Sequence, residues 1–128
     1  MKILVPTAGY PPAKQSVEYI VRIAIRLQAD IVVLYVYNKS HPATDARDAF
    51  DVFNNAVAGS GLSVQSRIQR GSVEETIISV AEEGDYSLII MGASAGLAIE
   101  EWISSKILLD SQLPVVVIPY GLPERGKL

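Results

Sequence analysis

Apolar residues along this chain fall into two alternating patterns, and their succession predicts the architecture. Lys2–Thr7, Asp30–Tyr37, Tyr86–Gly92 and Pro114–Pro119 are short, β-branched and continuously hydrophobic. Such runs fit strands covered on both faces, as in a parallel sheet. Leu62–Gln69 instead alternates apolar with polar residues, as a half-exposed strand at a sheet edge does.

The segments between these runs have helical period. In Pro12–Gln28, Val17, Ile20, Val21, Ala24 and Leu27 share one face, with Lys14, Glu18, Arg22 and Arg26 largely off it. Thr44–Ser60 does the same with Ala46, Ala49, Phe50, Phe53 and Val57, carries acids in its first turn and ends at Gly59-Ser60-Gly61. Ser72 and Glu75 have the capping-box spacing and predict a helix over Val73–Glu83, stopped by Gly84. A last helix, Leu97–Asp110, turns Ile99, Trp102, Ile103 and Ile107 inward. Only Asn38–Ala43 and the tail from Gly121 read as loop.

Strands and helices alternate with short connections. Right-handed crossovers turn that order into a doubly wound α/β domain, a five-stranded parallel sheet with helices on both faces. The first and fourth strands are the most hydrophobic and belong at the centre; the alternating third belongs at an edge. The predicted order is 3-2-1-4-5, in one domain spanning residues 1–128 with 121–128 as a tail. A ligand crevice then opens where the winding reverses, beyond the carboxyl ends of the first and fourth strands. Pro6-Thr7-Ala8-Gly9 and Met91-Gly92-Ala93-Ser94-Ala95-Gly96 stand there.

Composition narrows the function. With 128 residues, nearly half of them apolar, the chain can build one core. A net charge of −3 argues against a surface made for nucleic-acid phosphates or anionic membranes. No cysteine is present, which excludes disulfides, thiolate metal sites and thiol nucleophiles. The apolar start stops at Pro6 and Thr7, too short for a signal-peptide core or a membrane span, so the expected compartment is the cytoplasm. His41 is the only histidine and lies in a polar loop before Pro42, which disfavours three-ligand zinc and Ser-His-Asp chemistry. Neither G-x-S-x-G nor G-x-x-x-x-G-K-S occurs. Asp45 and Asp48 sit in a first helical turn, where acids need no catalytic explanation. No active site and no metal site are expected.

Four segments, in order and spacing, resemble the universal stress protein family: KILVPTAG, DIVVLYVYN, RGSVEETIISVAEEGDYSLIIMGAS and SQLPVVVIP. The resemblance spans essentially the whole chain. It implies an adenine nucleotide alpha hydrolase-like domain, commonly a homodimer joined through its last strand, here Val115, Val116, Val117 and Ile118, and without robust enzymatic activity in most members. One branch of the family binds ATP. That branch carries an aspartate after the first strand in a V-D-G-S context; this chain has Thr7-Ala8-Gly9-Tyr10, with Ala8 in its place. The branch also carries G-x-x-G, nine residues, then G-S or G-T. Counted from Gly92, position 95 is Ala and the final pair is Ser105-Lys106; counted back from Leu113-Pro114, the loop is about four residues short and the pair is Glu101-Trp102. Either alignment breaks the motif.

The physical chemistry points the same way. A phosphate cradle needs free amides, close-approach glycines and neutral or positive surroundings, whereas Glu100 and Glu101 open the following helix. Gly92 and Gly96 serve equally as turn glycines, Ser94 as a helix cap, Ser104 and Ser105 as solvent-facing or back-bonded hydroxyls, and Trp102 as core or as a flap. The candidate crevice comprises Pro6, Thr7, Ala8, Gly9, Val36, Gly92, Ser94, Ala95, Gly96, Ser104 and Ser105. The expected function is a non-enzymatic stress-response or regulatory dimer with a degenerate ATP motif and no cofactor. Its rival is an ATP or AMP sensor retaining a modified pocket; a slow phosphohydrolase is a weaker third reading.

Overall fold

Continuous hydrophobicity places Lys2–Thr7 (β1) at the centre of the sheet, paired in parallel with Asp30–Tyr37 (β2) on one side and Leu88–Gly92 (β4) on the other. The computed structural model describes residues 1–40, 42–92, 107, 110–119 and 121–122. Val64–Arg70 (β3) lies outside β2, and Val115–Ile118 (β5) outside β4, giving a five-stranded parallel sheet in the order β3-β2-β1-β4-β5. This is the predicted order.

Strand alternation divides the core between the two faces. Ile3, Val5, Ile31, Val33 and Ile90 point toward the helices Tyr10–Leu27 (α1) and Ala46–Ala56 (α2), meeting Ala13, Ile20, Ala24, Ala49 and Phe53. Leu4, Val32, Leu34, Val36, Ile89 and Met91 point to the opposite face, meeting Ile77 and Val80 of Val73–Ala81 (α3), and Ile107. Of the expected last helix, Ile107 and Asp110 are helical and Ile107 is fully buried, as its inward assignment requires; Ile99, Trp102 and Ile103 lie outside the described residues.

Several boundaries differ from the sequence reading for local reasons. Helix α1 ends one residue early because Gln28 adopts a left-handed conformation at φ 54°, and the next amide, Ala29 N–H, donates to Ala24 O at 2.9 Å. That turn sends Ala29 into the core and leaves Leu27, expected inward, 42% exposed. Helix α2 is shorter than Thr44–Ser60, and Phe50 is only half-buried while Ala46, Ala49, Phe53 and Val57 are buried. The capping box at Ser72 and Glu75 forms neither side-chain bond, although Thr76 N–H donates to Ser72 O at 3.0 Å. Both residues are exposed, where water competes with side chains for helix-start amides.

At the β3 edge, Arg67 and Glu83 form a paired two-bond contact at 2.6 and 2.7 Å. Each charge favours the other: the glutamate carboxyl is held below its ordinary value chiefly by the guanidinium bond, and the guanidinium is pushed up. Among the described residues, no helix is long and apolar enough to cross a membrane.

Candidate functional site

The winding reverses between β1 and β4, so their carboxyl ends bound the crevice that this topology creates. Pro6 is buried at the end of β1, opposite Leu34; Thr7 is half-buried, Ala8 exposed and Gly9 buried. The Thr7 hydroxyl donates to Gly9 O at 3.1 Å and accepts from Gly9 N–H at 3.3 Å, tying the strand exit into a compact turn. Gly9 then opens α1 at φ 130°, ψ −167°, a conformation nearly restricted to glycine. Gly92 ends β4 and is exposed; a Cβ there would stand 3.3 Å from the Cβ of Ser16 on α1, so the strand end and helix pack closely.

A carboxylate reaches the exit of β1 from elsewhere in the chain. Asp45 directly precedes α2, yet its side chain makes no helix-capping bond. One carboxylate oxygen instead lies 2.6 Å from where a Cβ on Gly9 would stand. The other accepts from the Tyr35 hydroxyl at 3.1 Å, which also reaches Pro42 O at 3.0 Å. A phenol has one proton to give, so these two acceptors share it. Tyr35 pairs with Thr7 in the sheet and is 6% exposed; burial first, then the Asp45 carboxylate, raises its pKa above the ordinary tyrosine value.

Of the candidate residues read from sequence, Pro6, Thr7, Ala8 and Gly9 stand together at the exit of β1, with Gly92 at the end of β4. The Val36 side chain is buried in the opposite core with Leu34 and Ile77. Ser94, Ala95, Gly96, Ser104 and Ser105 lie outside the described residues, as do His41, Glu100, Glu101, Trp102 and Lys106. Val115–Ile118 forms an edge strand, with Val116 36% exposed. Tyr35, Pro42 and Asp45 are site neighbours that the sequence reading passed over. Among the described residues, no group of three or more His, Cys, Asp or Glu side chains could hold a metal ion.

Among the described residues, the groups that meet at the exit of β1 are mostly hydrogen-bond acceptors: a carboxylate, the Pro42 carbonyl and the Gly9 carbonyl. Both hydroxyl donors, on Thr7 and Tyr35, already serve them. Chemically, that favours a ligand that donates hydrogen bonds over one that brings further anionic oxygens.

Comparison with known proteins agrees with this architecture. The profile of the universal stress protein family matches residues 1–119. The chain therefore belongs to the universal stress protein family. A search of curated protein sequences finds no match. Among solved structures, a universal stress protein in complex with cAMP superposes with a TM-score of 0.73 at 15% identity, covering 92% of this chain and 96% of that one. The universal stress protein from Archaeoglobus fulgidus in complex with dAMP gives 0.73 and 15%, over 92% and 97% of the two chains. A family protein from Arabidopsis thaliana with AMP bound gives 0.67 and 16%, over 98% and 97%. At these identities the likeness concerns the fold.

Proposed function

We propose that this universal stress protein is a non-enzymatic regulatory protein of the cytoplasm, working as a homodimer, whose crevice no longer cradles a triphosphate. One observation carries the reading: Ala8 offers a methyl group at the β1 exit, and the acid beside it, Asp45, is seated on Gly9 among other acceptors. A triphosphate placed beside these acceptors adds repulsion.

Thermal shift with ATP and ADP tests this. A ligand at a hundredfold over its Kd stabilises a fold by about 2.7 kcal/mol, so binding is readily seen. The expected response to both is flat; a clear shift with ATP overturns the proposal. The complexes with cAMP, dAMP and AMP in proteins of this fold favour a second reading, a sensor of monophosphates. A shift confined to AMP supports that reading.

The homodimer is supported by the edge position of β5. Ile89 N–H donates to Pro114 O, which in a parallel ladder turns the amides of residues 115 and 117 away from β4. An apolar edge with outward amides invites a second strand, and Pro114 and Pro119 lie outside the pairing stretch. Val117→Pro removes one outward amide without breaking the ladder to β4. Sedimentation equilibrium should read a dimer for the parent and a folded monomer for the variant; a variant dimer of parental strength contradicts this interface.

A further inference from the structure

The sheet has a second open edge. Strand β3 ends it on the side opposite β5, and among the described residues no strand pairs with its outer side. Ile31 N–H donates to Ser63 O and Gly71 N–H donates to Tyr37 O. In this parallel ladder residues 65, 67 and 69 therefore bond to β2, while Val64, Ser66, Ile68 and Arg70 turn their N–H and C=O groups outward. The strand contains no proline and no glycine to interrupt an added neighbour, and Ile68 on it is 51% exposed. An edge in this state is a template for pairing.

Its sequence is complementary to itself. When two copies of β3 run antiparallel about a two-fold axis at Arg67, the middle residue, every outward residue meets an outward partner: Val64 opposes Arg70 and Ser66 opposes Ile68. Any other position of the axis leaves part of the strand unpaired. Ile68 lies level with Tyr35, on the α2 face, where the two copies of Ile68 become diagonal neighbours. On the α3 face Gln65 opposes Gln69. Gln69 Oε1 accepts from Arg67 Nε at 3.2 Å, so its amide nitrogen is the group that donates to the Gln65 carbonyl. Arg67 opposes its own copy, and two bare cations would repel. Glu83 holds each guanidinium in a two-bond ion pair, which leaves that junction neutral.

We propose that β3 is a self-association edge, pairing antiparallel with β3 of a second copy about a two-fold axis at Arg67. Its apolar cover comes mainly from Ile68, so this contact is weaker than the all-apolar β5 edge and forms at higher protein concentration. With both edges in use, dimers join end to end and the sheet continues from one into the next.

Sedimentation equilibrium of Val117→Pro, whose β5 edge is blocked, tests it. At concentrations at least tenfold above those at which it is a monomer, this variant should dimerise. Adding Ser66→Pro, which removes an outward amide and spares the ladder to β2, should raise the concentration required at least tenfold; Ile68→Asp should do the same. Unchanged far-UV circular dichroism and urea midpoint show that the variants fold. The register is read by cross-linking, because the chain has no cysteine of its own. In the Val117→Pro background, Arg67→Cys faces its own copy and should form a disulfide dimer under mild oxidant at least tenfold faster than Gln65→Cys, which faces Gln69 of the copy. No association of Val117→Pro up to its solubility limit, association indifferent to Ser66→Pro and Ile68→Asp, or equal cross-linking at 65 and 67 overturns the proposal. If Val117→Pro dimerises as tightly as the parent and only Ser66→Pro makes it monomeric, the β5 interface is refuted and β3 stands.

Discussion

Phe53→Ala should lower the stability of this protein by about 3–5 kcal/mol, the range for truncating a fully buried aromatic ring. Phe53 has no exposed surface and sits where α2 meets the sheet, in one cluster with Ile31, Val33, Ala49 and Val57. Three of those neighbours are β-branched, and their stiff side chains do not swing into the vacated volume. Domains of this kind are stable by about 5–15 kcal/mol in all, so the loss is a large fraction of the total. Urea unfolding should show a markedly lower midpoint with an unchanged slope, and Phe53→Leu should recover much of the difference. A loss below about 1 kcal/mol would mean that α2 is not anchored as described.

Gly9→Ala should be the most damaging small substitution at the crevice. Two costs combine. The backbone at φ 130°, ψ −167° is strained for any residue with a Cβ, at about 1–3 kcal/mol. The new methyl would also stand 2.6 Å from an Asp45 carboxylate oxygen, so the carboxylate has to move and its bond with Tyr35 is put at risk. The two costs are separable. In Gly9→Ala/Asp45→Ala the steric clash disappears while the backbone strain remains, so the double variant should be less destabilised than the sum of the two single changes. Urea midpoints of the four proteins provide the cycle. Strict additivity would show that Asp45 does not rest on Gly9 in solution.

Hydrophobic periodicity made the fold readable. Strands β1 and β2 have the limits that their continuous apolar runs predict, and the central position of β1 and β4 follows from their burial on both faces. Helix ends were less readable, because they depend on single backbone choices such as the left-handed turn at Gln28. The Ser72–Glu75 spacing fits a capping box, yet an exposed helix start has water as a competitor and the reciprocal bonds do not form.

The crevice was half legible. Its β1 side could be placed from the sheet order, and the resemblance to the family's V-D-G-S pattern is what marks Ala8 as standing in an acid's place. Tyr35 was hidden because, inside an eight-residue run of strand, its ring looks like any other apolar filler. Only the alternation of faces reveals that it points opposite to Val36, toward α2. Asp45 was hidden by a plausible local role, since an acid before a helix ordinarily needs no other explanation. Its partner Tyr35 lies ten residues back across a loop, a distance at which no periodic rule pairs side chains.

A crystal structure of the protein grown with ATP in large excess would bear most directly on the claim that this crevice has lost its triphosphate cradle. The account predicts no ordered polyphosphate between the carboxyl ends of β1 and β4, with Asp45 still bonded to Tyr35 and resting on Gly9. A triphosphate seated there, with main-chain amides beyond Gly92 around its phosphates and Asp45 displaced, would contradict it.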